Sequence, residues 1–125
     1  MNGSPIPVLL IESNASDADL VRKALARGQG RTFQVECLTR LDNSLERLGS
    51  KKFDVILLDL NLPDSQGLAV FDQIFQAAPD SLILVLSSAA DEGTARLAVQ
   101  SGADEYLVKG RVNAHWLSRA LYFLL

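Results

Sequence analysis

Polar side chains sit where four short strand-like runs end. Val8-Leu9-Leu10-Ile11 stops at Glu12, and Val55-Ile56-Leu57-Leu58 stops at Asp59. Leu82 to Leu86 stops at Ser87 and Ser88, and Glu105 to Val108 stops at Lys109. Asn61 follows Asp59 by two positions and leads into Leu62-Pro63-Asp64-Ser65-Gln66-Gly67, a turn-forming stretch. A lone carboxylate in such a place is usually a loop or capping residue, and a lone lysine is usually solvated. Together the groups suggest more. Two carboxylates, a backbone carbonyl and water suit a hard divalent cation, of which Mg²⁺ is the natural choice. A hydroxyl and an ammonium opposite them suit an anion with several oxygens, such as a phosphoryl group. A carboxylate can also act as nucleophile and become an aspartyl phosphate, with the cation neutralising developing charge.

These groups meet only if the runs are parallel strands whose carboxyl ends share one edge, the edge where open α/β sheets bind ligands. The chain supports that arrangement. Residues 1–7 carry Gly3, Ser4, Pro5 and Pro7 and read as a flexible lead. Val8 to Ile11 is the first strand. Ser16 with Asp19 resembles a capping pair for a helix carrying Leu20, Val21, Ala24 and Leu25, stopped by Gly28 and Gly30. Phe33 to Leu38 alternates as a second strand. Leu41, Leu45 and Leu48 mark a short helix ended by Gly49. The strand to Asp59 is third, followed by a helix over Leu68 to Ala78 that Pro79 closes. Leu82 to Leu86 is the fourth strand, with a helix from Asp91 to Ser101 before Gly102. Glu105 to Val108 is the fifth, and Asn113 is placed to cap a last helix carrying Leu117, Leu121 and Leu124. Strands alternating with helices at this rhythm give right-handed βαβ units and a parallel sheet. The expected fold is an α/β flavodoxin-like (βα)5 sandwich, doubly wound, with five strands in the order 2-1-3-4-5. Residues 8–125 form a single domain. The last helix carries no stop signal, so the domain reads either as excised from a longer protein or as a terminus docked by its leucines.

Composition narrows the function classes. A length of 125 residues with 48% hydrophobic and 22% charged content gives one globular core. The net charge of −3 argues against direct nucleic-acid binding. Arg22, Lys23, Arg27 and Arg31 read as a solvated basic face. The single cysteine, Cys37, excludes an internal disulfide and a cysteine metal cage, and its alternation with Phe33 and Val35 marks a small buried hydrophobe. No apolar stretch approaches a signal-peptide core or a membrane span, so the expectation is cytoplasmic.

The motifs VLLIESN, DVILLDLNLPDSQGL, LVLSS and GADEYLVKG, in this order, resemble the receiver domain of two-component response regulators over residues 8–125. The resemblance implies that Asp59 is the phospho-acceptor. It implies that Glu12 acts on Mg²⁺ through water and that Asn61 lends the metal its backbone carbonyl. Ser87 and Lys109 would each take a phosphoryl oxygen, with Ser87 preferred to Ser88 because it directly follows Leu86. Tyr106 occupies the aromatic switch position, a reading compatible with a core aromatic whose hydroxyl is hydrogen-bonded. The implied partners are a histidine kinase or phosphotransfer protein upstream and an output domain or protein reached through the last helix. A homodimer is a further option. The face of the fourth helix, fifth strand and fifth helix would change on phosphorylation by a shift between pre-existing populations.

Two positions depart from the family pattern. Ser13 stands where the second metal-binding acid is usual, and serine is a poor Mg²⁺ ligand beside a carboxylate. Weaker Mg²⁺ binding and slower phosphorylation follow. Asp17 is a candidate to compensate, although the first turn of a helix suits an acid for its dipole alone. Gly110 stands where many members have proline; this Lys-Gly ending resembles receivers joined to other signalling modules. Ser13 also favours an alternative, a pseudo-receiver that binds partners without being phosphorylated; the retention of Glu12, Asp59, Ser87 and Lys109 opposes it. An enzyme is disfavoured. An aspartate-nucleophile phosphatase needs an acid at the position of Asn61, and a flavin-binding relative needs a Gly-rich phosphate loop where Glu12 stands. His115 reads as a surface residue, and Trp116 as packing at the helix base or at a partner interface.

Overall fold

The computed structural model describes residues 4–27, 31–111 and 114–125. Five of the apolar runs become β1 (Ile6–Ile11), β2 (Phe33–Leu38), β3 (Val55–Asp59), β4 (Leu82–Ser87) and β5 (Glu105–Val108). Between and after them lie α1 (Ala15–Ala26), α2 (Leu41–Leu48), α3 (Leu68–Ala77), α4 (Glu92–Gln100) and α5 (Ala114–Leu124). The strands form one parallel sheet in the order β2-β1-β3-β4-β5. This is the doubly wound flavodoxin-like arrangement expected from the sequence.

Side-chain alternation along each strand sorts the core into two layers. Leu9, Ile11, Ile56, Leu58, Ile83 and Val85 face α2, α3 and α4, where Leu41, Leu48, Val70, Phe71, Ile74, Ala95 and Ala98 meet them. Val8, Leu10, Val55, Leu57, Leu84 and Leu86 face α1 and α5, where Ala18, Val21, Ala24, Leu25, Leu117 and Leu121 meet them. Val55 to Leu58 are fully buried on both faces, which is why this run is continuously apolar. Each such leucine contributes about 1.5–3 kcal/mol by leaving water.

Several ends differ from the sequence expectation. β1 starts at Ile6 and not at Val8, so Pro7 lies in the strand opposite Gln34. Its carbonyl accepts the Asp54 N–H, and its missing donor falls before β3 has begun. The Ser16–Asp19 cap is not formed. Asn14, with extended backbone, is the N-cap of α1, and its Oδ1 accepts the Asp17 N–H at 2.9 Å. A single 3₁₀ turn, Ala89–Asp91, precedes α4, so the α-helix begins one residue later than expected. α3 ends at Ala77, and Phe75 is only partly buried beneath it. Leu117 and Leu121 anchor α5 as expected, but Leu124 is 36% exposed. Cys37 is half-buried: it packs into the α1–α5 layer from β2, an edge strand with one neighbour in the sheet. Arg22, Lys23, Arg27 and Arg31 are all exposed, the last lying beyond α1. The expected stops at Gly28 and Gly30 and the cap at Asn113 lie outside the described residues, as does the side chain of His115.

Candidate phosphoryl-accepting site

The same alternation that builds the core aims the site residues. Glu12 continues the series Val8, Leu10; Asp59 continues Val55, Leu57; Lys109 continues Leu107. All three therefore emerge on the α1–α5 side of the carboxyl edge. Ser87 continues Ile83, Val85 and emerges on the α4 side.

Lys109 joins the acids. Its Nζ lies 2.9 Å from Glu12 Oε1, 3.0 Å from Asp59 Oδ2 and 3.2 Å from Asp17 Oδ2. The last two contacts are hydrogen bonds. The contact to Glu12 is a charge contact without hydrogen-bond alignment, so Glu12 Oε1 is a buried oxygen with no donor. Glu12 Oε2 accepts the Asn14 N–H at 3.1 Å, and Asp59 Oδ1 accepts the Asn61 N–H at 3.0 Å. Burial, and then the neighbouring Asp59 carboxylate, push the Glu12 pKa up to about 7 against the pull of Lys109. Burial alone would lower the pKa of Lys109; Glu12 and Asp59 override it and hold the ammonium charged well above the ordinary lysine range.

Ser87 is buried and lines a cavity of about 250 Å³ together with Asp59, Asn61, Gly67, Asp91 and Thr94. Its hydroxyl donates to the Ser88 carbonyl at 2.7 Å. Ser88 is exposed, and its hydroxyl donates to Asp91. Ser13 is exposed, and no hydrogen bond joins it to Glu12, Asp59 or Lys109. Tyr106 is half-buried, and its hydroxyl donates to Glu92 Oε2 at 2.7 Å. That bond raises the phenol above its ordinary pKa. Tyr106 and Glu92 line a groove of about 670 Å³ with Trp116, Arg119 and Phe123, on the face formed by α4, β5 and α5. Trp116 is 58% exposed there.

The donor set fits a small hard cation. Two buried carboxylates face one another, one oxygen lacks a hydrogen bond, and an ammonium stands between them. Among the described residues no three acidic, histidine or cysteine side chains converge as a metal cage. Mg²⁺ commonly binds through one or two carboxylates and keeps its waters.

Three participating residues carry little local signal. Asp17, named from the sequence as a candidate to compensate for Ser13, lies in the first turn of α1 and meets Lys109 from 92 positions away, a contact that nothing local signals. Asp64, in a short hairpin pairing Asn61–Leu62 with Ser65–Gln66, caps α2 by accepting the Leu41 and Asp42 N–H groups at 2.9 and 3.0 Å. Those two donors hold its carboxyl below the usual range. Glu92 meets Tyr106 only because α4 folds over β5.

A parallel five-stranded sheet with acids, a hydroxyl and a lysine on its carboxyl edge defines a class, and the family comparison agrees. The chain belongs to the response regulator receiver domain family, whose model matches residues 8–120. It is 35% identical over 104 residues to the KDP operon transcriptional regulatory protein KdpE of Escherichia coli (strain K12), covering 82% of this chain and 44% of that protein. It is 28% identical over 109 residues to the transcriptional regulatory protein ZraR of Klebsiella oxytoca, covering 87% of this chain and 24% of that protein. The chain thus spans less than half the length of either relative. A CheY-like response regulator receiver domain protein from Methanospirillum hungatei JF-1 shares the fold with a TM-score of 0.82 at 21% identity, covering 97% of this chain and 94% of that one. The receiver domain of sensor histidine kinase PA1611 from Pseudomonas aeruginosa PAO1, described with a magnesium ion coordinated in its active site cleft, matches with a TM-score of 0.78 at 21% identity, covering 96% of this chain and 97% of that one. No described helix is long and apolar enough to cross a membrane.

Proposed function

We propose that this domain is a cytoplasmic phospho-accepting switch of a two-component phosphorelay. An Asp59 carboxylate oxygen attacks the phosphorus of a phosphohistidine on a histidine kinase or phosphotransfer protein. The new P–O bond forms as the P–N bond breaks, and the histidine leaves with its electron pair. Lys109, already 3.0 Å from Asp59 Oδ2, turns to one phosphoryl oxygen, and Ser87 donates its hydroxyl to another in place of the Ser88 carbonyl. Glu12, Asp59 and the Asn61 carbonyl would hold Mg²⁺, which supplies positive charge against the repulsion between carboxylate and phosphoryl group. Once Ser87 turns, the groove containing Tyr106 and Trp116 repacks, and α5 carries the change to an output domain, a partner or a second copy. The observation that carries this reading is the cluster at the carboxyl edge of the sheet in which the half-buried Lys109 meets the two buried carboxylates Glu12 and Asp59, an arrangement that is costly to desolvate.

One observation favours a second reading. Ser13 is neutral and exposed, and the Lys109 ammonium already serves both acids, as a phosphorylation-independent pseudo-receiver would allow. Intact mass after incubation with Mg²⁺ and acetyl phosphate decides between them. The switch predicts a gain of one phosphoryl group, absent with chelator and in Asp59→Asn. No gain in the wild type, with gain restored by Ser13→Asp, would establish the pseudo-receiver.

A further inference from the structure

Asp17 behaves unlike an ordinary acid in the first turn of a helix. Two positions on, Asp19 shows the ordinary pattern: 59% exposed and paired with Lys23 one turn away. Asp17 is 31% exposed, and its carboxylate turns inward to Lys109 at 3.2 Å. Its position is fixed relative to Glu12 by a short relay. The Asn14 N–H donates to Glu12 Oε2, and Asn14 Oδ1 accepts the Asp17 N–H. A single ammonium is therefore in contact with Glu12, Asp17 and Asp59 at once, while Ser13 contributes no charge.

A small cation that keeps its waters is sensitive to the carboxylate charge around it, even where a carboxylate does not touch it. With Ser13 neutral, the inner carboxylates are Glu12 and Asp59. We propose that Asp17 supplies the missing third charge at the cation position, acting from the first turn of α1 as a positioning residue for Lys109 and for hydrated Mg²⁺. This inference rests on the Mg²⁺-dependent reading above. It makes Ser13 a relocation of charge within the site and not a loss.

The test is calorimetric titration with Mg²⁺, without phosphodonor, of the wild type, Asp17→Asn, Asp17→Glu, Ser13→Asp and the Ser13→Asp/Asp17→Asn double variant. Asp17→Asn is expected to weaken Mg²⁺ binding about tenfold, as befits loss of one nearby charge. Asp17→Glu should restore most of it. In the Ser13→Asp background the same Asp17→Asn change should cost little, because the charge is then supplied at position 13. A role confined to the helix dipole would lower the melting temperature without Mg²⁺ and leave the affinity alone. Wild-type binding that Asp17→Asn does not weaken overturns the inference while leaving the Mg²⁺ reading intact. Binding by Ser13→Asp but not by the wild type overturns both. Equal losses in the two backgrounds also overturn it, since Asp17 would then not stand in for position 13.

Discussion

The Lys109 ammonium stands in charge contact with two buried carboxylates that would otherwise repel each other, so the resting charge pattern depends on one side chain. Tyr106 shows a second residue held by charge. Its hydroxyl is committed to Glu92, and this bond favours the neutral phenol. Because the folded pKa is raised, the resulting stability is present below the ordinary phenol pKa and is lost as pH rises through the folded value. In an ultraviolet titration, Tyr106 should therefore ionise above the ordinary phenol range, and Glu92→Gln should bring it back toward that range. Unchanged titration in that variant would mean the bond has no energetic weight. Glu12, Asp59, Ser87 and Lys109 were legible as a set because each lies where a strand-like run stops. Asp17 was legible only as a candidate to compensate for Ser13, and its contact with Lys109 was not; Glu92 was not legible as a partner of Tyr106, since these contacts depend on how α1 and α4 settle against strands distant in sequence.

Elements were easier to read than their ends. β3 and β4 are buried on both faces, so their sequences are apolar without interruption, and no helical period competes. Caps depend on which of several polar residues the backbone presents. Asn14 won over Ser16 because the chain is still extended there as it leaves Glu12. The end of α4 is set by Gly102 at φ 130°, beyond the C-cap Ser101. A Cβ at that position would lie 3.2 Å from the Phe75 ring. Gly102→Ala should therefore destabilise the domain by about 1–3 kcal/mol, from backbone strain with crowding added. Urea unfolding would check it, and a change below a few tenths of that would show that α4 can end another way.

At the scale of the whole molecule, the site and the α4–β5–α5 groove meet at β5, which carries Tyr106 and ends immediately before Lys109. The single tryptophan, Trp116, lines that groove and reports on it directly. Treatment with acetyl phosphate and Mg²⁺ should shift its emission in the wild type and not in Asp59→Asn. A shift that persists in Asp59→Asn would separate the groove from the phosphoryl chemistry. Asp64 adds an asymmetry to this connection. It staples the hairpin after Asp59 to the first turn of α2 through two backbone amides, whereas on the Ser87 side the start of α4 is held through side chains, the Tyr106 hydroxyl donating to Glu92 Oε2 and the Ser88 hydroxyl to Asp91. The acidic cleft is thus a vice whose two jaws are tied differently, one through backbone amides and one through side chains. If the proposed switch operates, displacement is expected toward α4 and the outer edge of the sheet, where Ser87 and Tyr106 can exchange partners, instead of spreading evenly through the domain.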